Sequence, residues 1–480
     1  MSAPQSGLAY DRNRLTPGIV HIGVGNFHRA HLATYLDDLF SLGEGHDWAI
    51  LGAGVRPADA AMRAALKAQD SVSTVITLDP AAKTVRKVGS MVDFLEVQPD
   101  NAALIAAMAR HEIRIVSLTV TEGGYFLHPA TGSFDPTHPE IAADAANPEH
   151  PVTAFGAILA ALRARREAGV VPFTVLSCDN LPGNGKVTKA TMVGLARLTD
   201  PAMADWVDRY VAFPNGMVDR ITPATGPREI AIAAALGVSD PVPVTCEPFR
   251  QWVLEDRFPA GRPALEKVGV VFSPDVHVFE LAKLRILNAG HAILAYPAEL
   301  LGLVLVHDAM AHPVLRAFLA QVLTQEVLPI LPPTPGQSLA DYCDVVLDRF
   351  ANPEIADTPR RLAFDGAARQ PKFILPSIRD NLSRGVLPRR LILATALWCR
   401  YCAGEDEQGR LIVPNDPDWD GLQAVAKEAR SDPLRWIGMS RVYDDLSTNQ
   451  VVVKCFGDAL QSLWSLGTEE TLRRAATNRD

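Results

Sequence analysis

Pro17-Gly18-Ile19-Val20-His21-Ile22-Gly23-Val24-Gly25 is an apolar run that ends in glycines, and a helical pattern follows it from about Arg29 to Leu42. Strand, glycine turn and helix, in that order, open a dinucleotide-binding βαβ unit. The glycines let backbone approach a pyrophosphate, and the helix N-terminus faces its charge. His28 stands where the G-x-G-x-x-G pattern has its third glycine. A lone G-x-G recurs in ordinary turns, so its place directly behind a strand is what points to a cofactor. Trp48 to Arg56, W-A-I-L-G-A-G-V-R, predicts the second strand. An acid about 20 residues beyond the glycines would hold the ribose of NAD. Asp59 lies later than that, and Arg56 beside it would suit the 2′-phosphate of NADP. Pro57 and Asp59 equally suit the start of a helix, where acids complement the macrodipole.

Further along, the β-rich pieces between Ser71 and Val97 predict a strand pair inserted after the second unit, and Asp100 to Ala109 predicts a helix. Ile113 to Glu122 is another buried strand, ending at Glu122-Gly123-Gly124, as suits a cleft wall or a turn. A polar, Pro-rich loop is expected from His128 to Pro151, then an Ala-rich helix to about Ala168. Pro172 to Gly185 is a strand running into Asp179, Asn180 and Asn184, with a helix from about Val187. Ligands of open α/β sheets bind outside the carboxyl ends of strands, although Asx-rich turns have the same composition. Phe213 to Pro223 reads as irregular and carries Asp219 and Arg220; Val268 to Phe272 is the last expected strand. Helical periodicity then dominates: His312–Leu328, Ser338–Phe350, Arg389–Cys402, Gly421–Ala429 and Gln450–Leu466. The shift falls between Phe272 and Phe279, giving domains 1–275 and 276–480.

Two domains also follow from length, since 480 residues exceed what one core supports. A hydrophobic fraction of 48% and a charged fraction of 21% are those of an ordinary globular protein. The net charge of −9 without a long basic run argues against nucleic acid or an anionic membrane as partner. No apolar run approaches the roughly 18 residues of a membrane span, and the N-terminus lacks the pattern of a secretory signal. Six scattered cysteines suggest no disulfide framework. Cys399 and Cys402 form a C-x-x-C without the second pair that structural zinc wants. A cytoplasmic, reduced protein is expected.

Glu280 to His291, E-L-A-K-L-R-I-L-N-A-G-H, predicts a helix with Leu281, Leu284, Ile286 and Leu287 as its apolar positions. At about 100° per residue, Glu280, Lys283, Asn288 and His291 project within roughly 140° of one another. Charged groups are rarely buried unpaired, so an inward face needs partners or a polar cleft. Lys283 would then be a general base, with Asn288 and His291 steadying a substrate oxygen; the alternative is a solvated polar stripe. Asp357 to Phe373 carries Arg360, Arg361, Arg369 and Lys372, which suit a polyhydroxylated or anionic substrate, or a solvated helix face.

Gly23–His31 (G-V-G-N-F-H-R-A-H), Val120–Tyr125 (V-T-E-G-G-Y) and Ser177–Gly185 (S-C-D-N-L-P-G-N-G) together resemble the polyol-specific long-chain dehydrogenase/reductase family. F-P-N-G-M-V-D-R, the Glu280–His291 segment, D-T-P-R-R-L-A-F-D-G and R-Q-P-K-F extend the resemblance in order from residue 20 to about 375. It implies an α/β protein: a Rossmann-type N-terminal domain with inserted β-strands and a mainly α-helical C-terminal domain. It further implies metal-independent hydride transfer to NAD, with NADP less favoured. Lys283 would be the general acid/base, Asn180 and Asn288 would hold the oxygen on which charge develops, and His291 would orient the substrate. Glu280 would exchange protons with solvent, with Glu122 nearby. Asp219, Arg361 and Arg369 fall at positions that contact distal hydroxyls. Gly23, Val24, Gly25, Asn26, Phe27, His28 and Arg29 form the cofactor turn, and Asp59 would favour NAD.

The expected reaction is oxidation of a polyol at C2, D-mannitol to D-fructose, with D-arabinitol or D-sorbitol as secondary substrates and a monomer as the acting species. The chemistry is consistent: a base poised near working pH and preorganised amide donors are what alcohol oxidation needs. No Cys/His set shows catalytic zinc spacing, and no tyrosine is followed by lysine four residues on, as short-chain dehydrogenases require. The rivals are a fructuronate or tagaturonate reductase of the same family, which wants a firmer cationic anchor, and a dinucleotide-binding regulator without catalysis.

Overall fold

The computed structural model describes residues 7–128 and 131–477, and the chain divides into two compact units, residues 1–277 and 278–480. In the first, β1 (Pro17–Ile22), β2 (Ala49–Ala53), β3 (Met91–Phe94), β4 (Ile115–Leu118) and β5 (Thr174–Ser177) form one parallel sheet. Their order is β3-β2-β1-β4-β5, the arrangement of a Rossmann-type half. Apart from Pro17, β1, β2, β4 and β5 are buried throughout. Parallel strands covered on both faces read as apolar runs without alternation, which is why these were visible in the sequence. The strand order reverses between β1 and β4, and the crevice at their carboxyl ends is where such sheets take ligands.

Around this sheet the structure departs from expectation. The inserted pair is a hairpin of Ser73–Thr77 and Thr84–Val88, whose first strand also takes Val244–Cys246 in parallel. Met91–Phe94 is not part of the insertion; it returns to the main sheet. The segment read as irregular holds a buried strand, Gly216–Asp219, antiparallel to Gln251–Leu254, which in turn pairs with Val271–Phe272. Pro214, Gly216 and Pro223 obscured it. The expected loop from His128 contains a helix, Pro139–Ala146, with Pro139 in its first turn and the His138 side chain accepting the Glu140 N–H; residues 129–130 of that stretch lie outside those described. The helix behind the glycine turn is split at His31 into Asn26–Ala30 and Leu32–Ser41. There the Arg220 guanidinium takes the Ala30 carbonyl, and the His31 ring hydrogen-bonds the Gln251 carbonyl at 3.0 Å.

The second unit is helical. Arg389–Cys402 is buried at every residue from Leu391 to Cys402 and packs against Gln450–Leu466 and Ala289–Leu300, the position expected of a helix apolar on all sides. Cys399 and Cys402 are free, buried thiols that it carries inward. The periodic stretch from His312 is not one helix: Pro313–Gln321 passes into a π turn, Val322–Val327, and a 3-10 turn, Leu328–Ile330, that contains Pro329.

Candidate active site

At the end of β1 the chain turns with Gly23 at φ +97. A Cβ there would lie 2.2 Å from the Thr119 carbonyl oxygen, so glycine is required by both conformation and space. The turn is closed by Gly23 N–H to the Ala53 carbonyl (2.9 Å) and Gly25 N–H to the Gly23 carbonyl (2.8 Å). At Gly25 a Cβ would meet nothing nearer than the Gly23 oxygen at 4.0 Å. The open space before the next helical turn fits the close approach of a dinucleotide phosphate to backbone N–H groups.

The side chains of this turn are committed elsewhere. Val24 is part of the buried core. Asn26 donates to the Pro223 carbonyl and Thr225 Oγ1, both at 2.9 Å. Arg29 is buried, its guanidinium donating to the Val242 carbonyl (2.6 Å) and Asn26 Oδ1 (2.7 Å). Phe27 stacks on the His31 ring, and His28 on that of His21. Asp59 opens the helix Asp59–Lys67 behind β2, with Oδ2 accepting the Arg56 N–H at 2.9 Å. The Arg56 guanidinium reaches the Glu140 carboxylate at 2.9 Å.

Beyond β4 and β5 the chain brings Glu122 and Asn180 to neighbouring strand ends, and both are exposed. Between them lies Asp179, whose buried carboxylate accepts N–H groups from Val120 (3.0 Å) and Thr121 (2.9 Å). Asp219 closes its strand, buried, and acts electrostatically on His31. Burial holds the His31 imidazole down at about 3.

In the second unit Glu280, Lys283, Asn288 and His291 do share one helix, but its step is not uniform. His277–Ala282 is α-helical, Lys283–Asn288 is a π turn, and Ala289–Leu300 is α-helical again, with the Ala289 N–H reaching back to the Leu284 carbonyl. The i to i+5 bonding widens the turn, so the spacing of 100° per residue fails between Lys283 and Asn288. Single π turns inside α-helices recur at functional sites. Glu280, Lys283 and His291 are buried, at 7%, 8% and 8% exposure, and Asn288 is half-buried; a solvated stripe is excluded.

His291 stacks on Phe350, ring centroids 4.1 Å apart. Burial lowers its imidazole to about 3, against the attraction of Asp357 and with Arg361, Arg349 and Arg369 pressing further down. Arg361 and Arg369 are thus within electrostatic reach of His291. Arg361 is held by Asp357 through a two-pronged pair, Nε to Oδ1 at 2.7 Å and Nη2 to Oδ2. Burial alone would raise the Asp357 carboxyl, and Arg361 brings it below the usual range. Arg369 donates one nitrogen to the Leu362 carbonyl (2.9 Å), and its Nε is buried with no hydrogen bond. Arg360 turns away, to Tyr401 and the carbonyls of Val413 and Pro414.

Asp179, read from the sequence only as one of a strand-end cluster, and Asp357, to which no role was given, are the two acids that the structure ties to candidate residues or to the motifs that carry them. Both stood in quoted motifs, but nothing in the pattern tells which acid of a motif is buried and which is presented. Among the described residues no group of three or more His, Cys, Asp or Glu side chains is placed to hold a metal ion, and no helix is long and apolar enough to cross a membrane.

A parallel sheet of this order with a glycine turn opening onto free space is the framework of dinucleotide-dependent oxidoreductases, and the first unit assigns the chain to that class. The mannitol dehydrogenase Rossmann domain model matches residues 17–267, and the mannitol dehydrogenase C-terminal domain model matches residues 275–464. The chain belongs to the mannitol dehydrogenase family. It is 64% identical to the mannitol 2-dehydrogenase of Cereibacter sphaeroides, over 97% of this chain and 98% of that protein. It is 42% identical to that of Pyricularia oryzae, over 97% and 94%. Among solved structures it is similar to the Pseudomonas fluorescens mannitol 2-dehydrogenase in ternary complex with NAD and D-mannitol: 40% identity, 98% of this chain and 96% of that one, TM-score 0.84. A D-sorbitol dehydrogenase in substrate-free form aligns over 96% of each chain, with 35% identity and a TM-score of 0.88.

Proposed function

We propose that the chain is an NAD-dependent polyol dehydrogenase that interconverts D-mannitol and D-fructose at C2, with D-arabinitol or D-sorbitol as secondary substrates. The observation that carries this is the buried Lys283, on a π turn with Glu280, Asn288 and His291 on the same helix, in a chain whose first unit has a dinucleotide turn. The solved relative that binds NAD and D-mannitol supports the choice of cofactor and substrate.

The backbone of Gly23–His28 would hold the NAD pyrophosphate, and the Asp59 carboxylate its adenosine ribose. When bound, NAD supplies the acceptor for the hydride leaving C2. Lys283 Nζ takes the hydroxyl proton; a lysine serves as base when desolvation and a neighbouring cation favour its neutral form. Glu280 passes that proton towards solvent. The amides of Asn180 and Asn288 donate to the oxygen on which negative charge develops, a stabilisation worth most where water is excluded. His291, neutral in its buried setting, offers one donor and one acceptor to a substrate hydroxyl, and Asp219, Arg361 and Arg369 serve the distal hydroxyls. Asp357 engages Arg361 in a two-pronged pair, so of the two arginines only Arg369 could meet the carboxylate of a uronate as an ion pair.

The test is steady-state oxidation of a polyol panel with NAD and NADP by the wild type and Lys283→Ala. D-mannitol turnover with NAD, lost in the variant by about 100-fold or more, is expected. Turnover confined to a uronate would replace the substrate. Turnover unchanged in the variant would remove the base, and no turnover at all would leave a dinucleotide-binding regulator.

A further inference from the structure

Asn180 owes its setting to the residue before it. Asp179 is 8% exposed, and its carboxylate is filled by three donors from the far side of the β4–β5 boundary. Oδ1 accepts the Thr121 N–H at 2.9 Å; Oδ2 accepts the Val120 N–H at 3.0 Å and the Tyr125 hydroxyl at 2.7 Å. The Tyr125 ring is fully buried, and its hydroxyl also meets Ser177 Oγ at 2.5 Å. Behind this, the Leu181 N–H returns to the Asp179 carbonyl at 2.9 Å, making Asn180 the middle residue of a γ-turn. Asn184, wholly buried, donates to that same carbonyl (3.2 Å) and to the Gly216 carbonyl (2.8 Å), and accepts the Gly216 N–H (2.9 Å).

The clamp holds something that would not hold itself. Thr121 sits at φ 65, ψ 166, a region almost closed to side chains branched at Cβ and costing about 1–3 kcal/mol. Its own N–H is one of those fixed by Asp179. Burial raises the Asp179 carboxyl above the usual carboxylate range in spite of the donors around it. A strained residue held by a buried carboxyl that accepts three donors, placed between Glu122 and Asn180, suits positioning better than stability.

We propose that Asp179 is the positioning residue for Asn180: by gripping the Val120 and Thr121 amides and the Tyr125 hydroxyl, it locks the two strand ends so that the Asn180 amide is preset for the alkoxide. This rests on the role given to Asn180 above. The loss of preset geometry falls on kcat, because a misplacement of about 1 Å costs on the order of 100-fold.

The test is a double-mutant cycle with full-length enzyme, NAD and D-mannitol. Asp179→Asn is expected to lower kcat by about 100-fold, with NAD affinity nearly unchanged and a lower melting temperature, because its NH2 cannot accept from the donors it faces. In the Asn180→Ala background the same substitution should change kcat by less than about threefold. Tyr125→Phe, which removes one donor and no charge, should show a smaller loss that also vanishes in that background, and it carries the test if Asp179→Asn does not fold. Equal losses in both backgrounds, or no loss of kcat at all, would overturn the positioning role while leaving that of Asn180 intact. If Asn180→Ala itself leaves kcat unchanged, the role of Asn180 fails and the positioning role falls with it.

Discussion

The imidazole of His28 lies flat against that of His21, the ring centroids 3.5 Å apart and the planes 14° from parallel. The third glycine of a G-x-G-x-x-G turn serves close packing of helix on strand; here two flat rings keep the first helix on β1. His21 is fixed by Ser117 Oγ at Nδ1 (2.8 Å) and Thr119 Oγ1 at Nε2 (2.9 Å). Both nitrogens of His28 are buried without a hydrogen bond. Burial lowers the His21 imidazole to about 3 and that of His28 well below its ordinary value, with His21, Arg29 and His31 adding to the effect.

These rings, together with His31, make the first unit sensitive to acid. Each is neutral when folded and protonates near pH 6.5 when unfolded. The stability tied to the neutral form is therefore complete above about pH 6.5 and is lost as pH falls towards the folded values. At pH 5.5 the loss is about 1.4 kcal/mol for each ring. Urea melts at pH 7.5 and 5.5 should show it, and His28→Gln should reduce the difference between the two pH values by about one ring's share. An unchanged difference in the variant would mean that His28 is not held neutral.

The two glycines of the turn should fail in different ways. Gly23→Ala forces a Cβ to 2.2 Å from the Thr119 oxygen at φ +97, and a loss of about 3 kcal/mol or more of stability is expected. Gly25→Ala meets no neighbour nearer than 4.0 Å, so its melting temperature should hold while NAD affinity falls by about tenfold or more. Thermal melts and NAD titration separate the two. A Gly25→Ala protein that binds NAD normally would remove the phosphate from this turn.

Coenzyme choice should follow the charge behind β2. Asp59→Ser removes the carboxylate that would repel a 2′-phosphate, while Arg56 stays engaged with Glu140. Glu140→Ala added to it releases Arg56 at little cost, since exposed ion pairs contribute only about 0–1 kcal/mol. The ratio of kcat/KM for NAD over NADP should fall by about tenfold or more in the single variant and further in the double. An unaltered ratio would exclude Asp59 from the ribose site.

Much of the fold was legible because its signals are local. Buried parallel strands are apolar runs whatever lies beside them, and Arg389–Cys402 and Gln450–Leu466 announce themselves by composition and periodicity. The motifs also placed the candidate residues at strand ends and on one helix. What local pattern cannot carry is a partner far along the chain. The strand Gly216–Asp219 exists because Gln251–Leu254 supplies its hydrogen bonds. The helix breaks at His31 where Arg220, 190 residues away, takes the Ala30 carbonyl.

By itself, then, the sequence determined the layer architecture, the glycine turn and the set of groups available for chemistry, since hydrophobic period and backbone freedom belong to each segment alone. The tertiary structure alone decided how those groups are set. It widened the Lys283–Asn288 turn and stacked His28 on His21. It tied Arg361 to Asp357, and buried Asp179 while leaving Asn180 exposed. Burial and pairing depend on what the rest of the chain brings alongside, and charge, proton affinity and strain follow from burial and pairing.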